Sequence, residues 1–115
     1  MNPPKLLPME TGINVLKVNG REYLVDHSHE DFGYSSKDPQ LVMDRWRVIV
    51  TDNLMMSVVR GPGTYGYSQG LFEIAFFDIE TRLFNKLFES EWLDTVKGYL
   101  TEEEVFEWLL KAEET

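Results

Sequence analysis

The stretch 54–77 (LMMSVVRGPGTYGYSQGLFEIAFF) constrains the fold most, because two apolar runs flank a loop that is rich in glycine. Each run has the length and the β-branched or aromatic content that are typical of a strand. The glycines of the loop are Gly61, Gly63, Gly66 and Gly70. Because glycine adopts positive φ at little cost, this loop is predicted to join two antiparallel strands of a meander.

The loop residues 61–66 also fit the letters G-x-G-x-x-G of dinucleotide sites. Such a site needs a helix after the glycines to receive the pyrophosphate, and here a second strand follows. The loop contains no lysine, so a structural connection is favoured over a nucleotide site. A third interpretation stays open, in which Tyr65, Tyr67 and Gln69 form a contact surface for another protein.

The dipeptide Asn19-Gly20 lies between two further strand-like runs, INVLKV and REYLVD. Both central positions of a type I′ turn need positive φ, which makes Asn-Gly a strong hairpin signal. The implied register places Lys17 opposite Glu22, and the opposite charges of this pair support it. The sequence therefore predicts an N-terminal hairpin.

A second hairpin is predicted around Asp52-Asn53, between RWRVIVT (residues 45–51) and LMMSVVR. A two-residue turn would place Trp46 near Val59 on the core face. It would also gather three arginines on the opposite face, where we expect them to be solvated and to pair with the acidic tail. These arginines are Arg45, Arg47 and Arg60.

The intervening segments are interpreted from turn residues and periodicity. Residues 27–38 are polar and are predicted to form a loop, and residues 39–44 could add one or two helical turns. Residues 82–88 (RLFNKLF) are predicted to return as a strand. Residues 89–100 are predicted to contain a short helical stretch that ends at Gly98.

Thr101 and Glu104 have the spacing of a capping box, which predicts a helix start. The apolar residues that follow recur at helical spacing and form one stripe. They are Val105, Trp108, Leu109 and Ala112. The predicted fold class is α+β: an antiparallel sheet of about five strands, made of an N-terminal hairpin plus a meander, with a C-terminal helix packed on one face.

With 115 residues, the chain is predicted to be a single domain, 1–115. Residues 1–12 contain three prolines and lack the apolar region of a signal peptide, so we expect an extended N-terminal arm and a cytoplasmic location. No apolar run has the length that a bilayer crossing needs. The chain has no cysteine, which excludes disulfides and thiolate metal sites.

The net charge is −9 and is unevenly distributed, with −1 in residues 1–60 and −8 in residues 61–115. An acidic half repels nucleic-acid phosphates and anionic lipids, so direct binding to either is not expected. Solubility is one explanation of the charge, and a basic protein partner is another. For the second, the expected contacts on the helix are Glu103, Glu104 and Glu107.

The segment 26–31 (DHSHED) is the metal candidate of the sequence. If this segment is extended, His27 and His29 point to the same face, and Glu30 or Asp31 could add an oxygen ligand. Exposed loop histidines without a metal are the simpler interpretation. No metal or other cofactor is predicted, and no nucleophile motif indicates an enzyme.

The motifs SVVRGPGTYG (57–66), QGLFEIAFFD (69–78) and TVKGYLTEEEVFEWL (95–109) together resemble a group of small uncharacterised proteins of tailed bacteriophages. The resemblance covers roughly residues 54–113 and leaves the N-terminal 45 residues without a counterpart. It implies phage origin and action in the cytoplasm of the bacterial host or in the virion. It implies no particular activity.

The expected function is that of a non-catalytic phage accessory protein that binds another protein of the host or the phage. Inhibition of a host nucleic-acid-binding factor through the acidic surface is one form of this hypothesis. One alternative is a virion or assembly component that forms a homo-oligomer through an unpaired sheet edge. Another is a metal-dependent enzyme that uses His27 and His29.

Overall fold

The structure is a computed structural model, and it describes residues 6–7, 9–31, 42–61, 64, 66–92 and 94–115. Six strands form one antiparallel sheet in the order β1-β2-β3-β4-β5-β6, so each strand pairs with its neighbour along the chain. The strands are β1 (Gly12–Val18), β2 (Arg21–Asp31), β3 (Val42–Ile49), β4 (Leu54–Arg60), β5 (Phe72–Asp78) and β6 (Val96–Leu100). The helices are α1 (Glu89–Trp92) and α2 (Glu102–Glu113).

The α+β class is confirmed, but the sheet has six strands rather than about five, and the N-terminal hairpin belongs to one continuous meander. Asn19 and Gly20 both have positive φ, as the predicted turn requires. Lys17 pairs with Glu22, and Lys17 Nζ lies 3.6 Å from Glu22 Oε1. The predicted register of the first hairpin is therefore confirmed.

Strand β2 is longer than predicted, because it continues through residues 27–31, where a loop was expected. Its pairing with β3 extends to Asp31 and Val42. The end of the predicted helical segment 39–44 is therefore strand, from Val42 onward. The remainder of both predicted segments, residues 32–41, lies outside the described residues.

The turn between β3 and β4 has three residues, 51–53, rather than the predicted two. The Val50 amide donates to the Leu54 carbonyl at 2.9 Å, and the Leu54 amide donates to the Thr51 carbonyl at 3.3 Å. Thr51 is thus part of the turn. A single additional turn residue shifts the register of the two strands by one position.

Because of this shift, the β4 side chains that were predicted to face the core point away from it, and the others point into the core. Trp46 pairs with Val58 rather than with Val59, and Val58 is fully buried. Arg60 pairs with Asp44 and therefore lies on the same face as Trp46. The predicted cluster of three arginines is wrong in this respect, because Arg60 is on the opposite face from the two arginines of β3.

The segment after β5 also differs from the prediction. Residues 82–88 contribute one isolated bridge, between Phe77 and Phe84, rather than a strand. The sixth strand is β6, where the short helical stretch was expected to continue, and the described helical residues of that stretch are 89–92. Gly98 lies within β6 and does not end a helix.

Helix α2 begins as predicted. The Thr101 hydroxyl accepts a hydrogen bond from the Glu104 amide at 3.2 Å, and Glu104 Oε1 accepts from the Thr101 amide at 3.0 Å. Its stripe packs on one face of the sheet, with Val105, Leu109 and Ala112 buried. The core between the helix and the sheet also includes Leu6 from the predicted arm, Leu16, Val25, Trp46, Val48, Met56, Val58, Ile74 and Phe76.

The C-terminal end of α2 is joined to the start of β2. Tyr23 donates its hydroxyl proton to Glu113, and Arg21 Nη1 lies 3.0 Å from Glu113 Oε2. Burial, followed by the Glu113 carboxylate, raises the pKa of Tyr23 to about 12. The Tyr23 hydroxyl, with a smaller contribution from Arg21, lowers the pKa of Glu113. Each pKa moves in the direction that favours a neutral hydroxyl donating to an ionised carboxylate.

None of the helices in the described ranges combines the length and the apolar character that a membrane crossing requires.

We expect Thr101→Ala to lower the free energy of unfolding by about 1 kcal/mol, because it removes the oxygen that caps α2. Urea denaturation monitored by circular dichroism measures this change. Thr11→Ala is the matched control, since Thr11 is exposed and lies outside the helices. Equal unfolding midpoints for the two variants would contradict the capping role.

The Tyr23–Glu113 contact predicts a specific pH dependence of stability. Because folding lowers the pKa of Glu113 below its ordinary value of 4.5, the stabilisation is present above that pH and is lost as the pH falls. Wild type should therefore be more stable than Glu113→Gln at pH 7, and the two should converge in acid. Denaturation curves across this range measure the difference, with Glu114→Gln as the exposed neighbouring control. A constant difference at all pH values would exclude this linkage.

Candidate functional site

One face of the sheet is not covered by any element in the described part of the chain. Since side chains alternate along a strand, the residues between those that face α2 point away from it, and we call this surface the open face. On β3 to β5 it includes the buried side chains of Met43, Ser57 and Ala75. It carries exposed apolar side chains: Ile13 is 72% exposed, Val15 55%, Leu24 56%, Ile49 37% and Phe84 46%. Apolar patches of this kind mark interaction sites in soluble proteins.

The centre of the open face is an apolar row that crosses the strands. Met55 pairs with Ile49 on one side and with Phe77 on the other, and Phe77 pairs with Phe84. The rings of Phe77 and Phe84 stack with centroids 4.6 Å apart. Leu24 lines a shared cavity with Ile49 and Met55, which extends the row to β2.

A polar row lies beside the apolar one. Arg47 pairs with Asp26 on β2 and with Ser57 on β4. Arg45 Nη1 donates to the Ser57 hydroxyl at 3.4 Å, and Ser57 is only 4% exposed. Arg45 and Arg47 of β3 therefore have hydroxyl or carboxylate residues beside them on the adjacent strands. This part of the open face has mixed charge.

Two further cavities open on this face, besides the one that Leu24 lines. The larger measures about 540 Å³, and its lining includes three arginines and the middle of the apolar row: Arg45, Arg47, Arg82, Ile49, Met55 and Phe77. The smaller measures about 200 Å³ and lies over β4 and β5, with Glu73 in its wall. Burial, followed by the charge of Asp94, raises the pKa of Glu73. A partly buried carboxylate in an apolar cavity is a feature of many binding sites.

The glycine loop packs against the sheet at the residues that are described. The Arg60 guanidinium lies 5.7 Å from the centroid of the Tyr67 ring, and its Nε donates to the Gly70 carbonyl at 3.4 Å. Gly66 has φ +86°, and a Cβ there would lie 3.0 Å from Tyr99 Cα. Tyr67 and Gln69 are exposed. Tyr65 lies outside the described residues.

The three predicted glutamates of α2 differ in their surroundings. Glu103 and Glu107 are exposed and line a shallow cavity beside Val18. Glu104 closes the capping box, and its hydrogen bonds with Thr101 lower its pKa. Its carboxylate is therefore already used within the helix. The structure thus places the predicted contacts on two separate elements, the loop after β4 and the outer surface of α2.

His27 and His29 lie on strand β2 and point to the same face, as the extended interpretation required. They meet Asp44 of β3: His27 Nε2 is 3.0 Å and His29 Nδ1 is 2.7 Å from Asp44 Oδ1. His27 is buried, its Nδ1 is 3.2 Å from the Glu10 carbonyl, and its ring stacks on Trp46. The expectation of two exposed loop histidines is therefore wrong for His27.

The carboxylate beside the histidines comes from β3. The side chain of Asp31 lies outside what the structure describes. Within the described ranges, no three His, Asp or Glu side chains are arranged to hold a metal ion. Instead, both imidazoles approach the same oxygen of Asp44, and this contact joins β2 to β3. The other ring nitrogen of His27 contacts the Glu10 carbonyl of the N-terminal segment.

The sequence contained a sign of the open face that the prediction did not use. In the first hairpin, apolar residues occupy both faces of the strands, with Leu16 and Tyr23 inward and Val15 and Leu24 outward. A strand that is covered on one side normally alternates apolar with polar residues. The sequence contained no comparable indication of the raised pKa of Glu73, since this pKa depends partly on Asp94, which lies outside its strand.

Comparison of the chain with protein-family models, with curated proteins and with solved structures finds no match.

We expect Asp44→Asn to lower the free energy of unfolding by about 1–3 kcal/mol, because it weakens a charged acceptor beside the buried His27. His29→Gln is the control and should have a smaller effect, since His29 is 58% exposed. Chemical denaturation of both variants at pH 7 measures the difference. An unchanged stability of Asp44→Asn would show that this cluster has no structural role.

Proposed function

We propose that this protein is non-catalytic and acts by binding a partner protein through the open face. The observation that supports this most is the apolar row of Leu24, Ile49, Met55, Phe77 and Phe84, which no described element covers. Leu24, Ile49 and Phe84 are exposed, and Met55 and Phe77 are half-buried. Exposed apolar patches mark interaction sites, and apolar centres with polar rims are typical of protein interfaces.

A basic partner fits the charge of the molecule. The net charge of −9 attracts basic surfaces and repels nucleic acid and anionic lipid. Carboxylates lie on one side of the apolar row, with Asp26 of β2 in the adjacent row and Glu73 of β5 in the row beyond it. The partner we propose therefore has an apolar patch with lysine or arginine beside it.

The resemblance to tailed-phage proteins extends this proposal. A basic, apolar-centred surface is what a nucleic-acid-binding factor of the bacterial host presents, and its occupation by an acidic protein would block nucleic-acid binding. In this proposal the protein acts in the host cytoplasm. The exposed residues Tyr67, Gln69, Glu103 and Glu107 would lie outside the central contact and affect its rate of formation more than its strength.

One observation favours a second candidate function, a homo-oligomeric assembly component. In the described part of the chain, strand β1 forms one edge of the sheet and pairs with β2 alone, and its exposed side chains include Ile13 and Val15. An unpaired edge with apolar side chains can pair with the same strand of a second copy. Binding of a different protein is preferred, because the apolar row extends across the whole face and is not confined to this edge.

We expect the double variant Val15→Thr, Leu24→Ser to keep its fold and to lose partner binding. Proteins retained from a bacterial lysate by immobilised wild type are identified, and their affinities for purified wild type and variants are then measured by calorimetry. The double variant should bind at least about tenfold more weakly, because it removes apolar area from the contact. Glu107→Gln is the control and should bind as wild type does.

Two outcomes would overturn the proposal. One is equal affinity of the wild type and the double variant for the identified partner. The other is a wild-type dimer in light scattering that the double variant converts to a monomer, which would assign the open face to a second copy of the chain.

A further inference from the structure

The smaller cavity of the open face has a mostly apolar wall and one carboxylate. It measures about 200 Å³. Its apolar lining includes Val59, Ala75, Phe77, Phe84 and Val96, and its polar lining includes Arg45, Ser57, Thr64 and Glu73. A cavity with this lining suits a ligand with an aliphatic body and a single polar end.

Among the described polar residues of this cavity, Glu73 differs from Arg45, Ser57 and Thr64 in its hydrogen bonding. In the described ranges it accepts no hydrogen bond and forms no ion pair, although it is partly buried. Arg45 donates to Ser57, and Thr64 donates to the Gly61 carbonyl at 2.6 Å. The polar end of a ligand would therefore be directed to Glu73.

The charge around Glu73 decides which polar end fits. Arg45 also lines the cavity, but its guanidinium donates to Ser57. Among the described residues, the ionised group that acts on Glu73 is the carboxylate of Asp94, which has the same sign. A second anion in the cavity would add to this repulsion, whereas a cation would relieve it. The preferred ligand end is therefore cationic.

We infer that this cavity, as part of the proposed binding face, receives a lysine side chain of the partner. The aliphatic stem would lie against Phe77, Phe84 and Val96, and the ammonium group would reach Glu73 at the rim. Lysine is suited to this arrangement because its long methylene stem packs on apolar surface while its charged end stays near water. This inference rests on the proposed function, since it names a contact within the same face.

Binding of an ammonium group to Glu73 is coupled to pH. In the free protein, the raised pKa of Glu73 keeps a larger share of the carboxyl protonated just above its ordinary value of 4.5. An ammonium group favours the ionised form, so binding releases a proton and lowers this pKa. The affinity for the lysine side chain should therefore rise as the pH increases above 4.5. It should level off once Glu73 is ionised in the free protein.

The experiment uses Nα-acetyl-lysine methylamide as the probe and the full chain labelled for NMR. We expect saturable chemical-shift changes at Ala75, Phe84 and Val96. Nα-acetyl-norleucine methylamide has an aliphatic stem without the ammonium group and should bind about tenfold more weakly. Glu73→Gln should lower the affinity for the lysine probe to a similar degree, and Glu107→Gln should leave this affinity unchanged.

Several outcomes would overturn the inference. Equal binding of the lysine and norleucine probes to wild type would exclude the ammonium contact, and this comparison does not depend on the folding of Glu73→Gln. Tighter binding of Nα-acetyl-arginine methylamide would assign the cavity to arginine. Shifts confined to Glu103 and Glu107 would show that the probe binds to the helix instead.

The probe needs no partner protein, so the two proposals can fail separately. Suppose that the lysine probe does not bind and that the Val15→Thr, Leu24→Ser variant loses affinity for the partner. This result would contradict the lysine inference and support partner binding through the open face. Lysine binding in the cavity together with an unchanged partner affinity of that variant would remove the docking proposal.

Discussion

The packing of α2 on the sheet is the contact on which the rest of the structure depends. A single amphipathic helix of this length would be marginal alone, and a six-stranded sheet would expose its apolar residues without it. The helix is fixed at both ends, by the capping box at Thr101 and by the Tyr23–Glu113 hydrogen bond. Between these ends Val105 and Leu109 are fully buried, so that the helix completes the core on one face only.

The open face follows from this arrangement. One helix covers one face of an antiparallel sheet, and the other face must then be polar or be covered by something else. Here β1 and β2 present Ile13, Val15 and Leu24 to solvent, while β5 contributes a partly buried carboxylate. The proposed partner contact and the proposed lysine cavity both use this difference between the two faces.

The features that the sequence predicted are those that short-range geometry determines. The Asn19-Gly20 hairpin and the capping box at Thr101 were correct, because each depends on residues that are at most a few positions apart. The predicted turn after β3 was one residue too short, since Thr51 belongs to it. As a result, the inward and outward side chains of β4 were predicted the wrong way round. Strand β6 pairs with the edge of β5, and such a tertiary contact is not visible in the residues of β6 alone.

The candidate sites required knowledge of pairing between strands. Asp44 meets His27 only because β2 pairs with β3 across a segment that was predicted to be a loop. Glu73 lies on a strand that was predicted correctly, but its raised pKa depends on Asp94, which lies before β6. Sequence patterns identified the histidine pair and the acidic helix, whereas the apolar row appeared once the register of the strands was known.

The hydrogen bond between Tyr23 and Glu113 joins residues that are 90 positions apart, although every strand pairs with its nearest neighbour in the chain. The sheet can therefore assemble progressively from local hairpins, which is kinetically favourable. Its apolar face stays uncovered through all of these steps, because α2 follows the six strands. During synthesis on the ribosome, an intermediate with a formed sheet would expose both faces at once. The period before α2 docks is when this molecule is most open to aggregation or to capture by a chaperone.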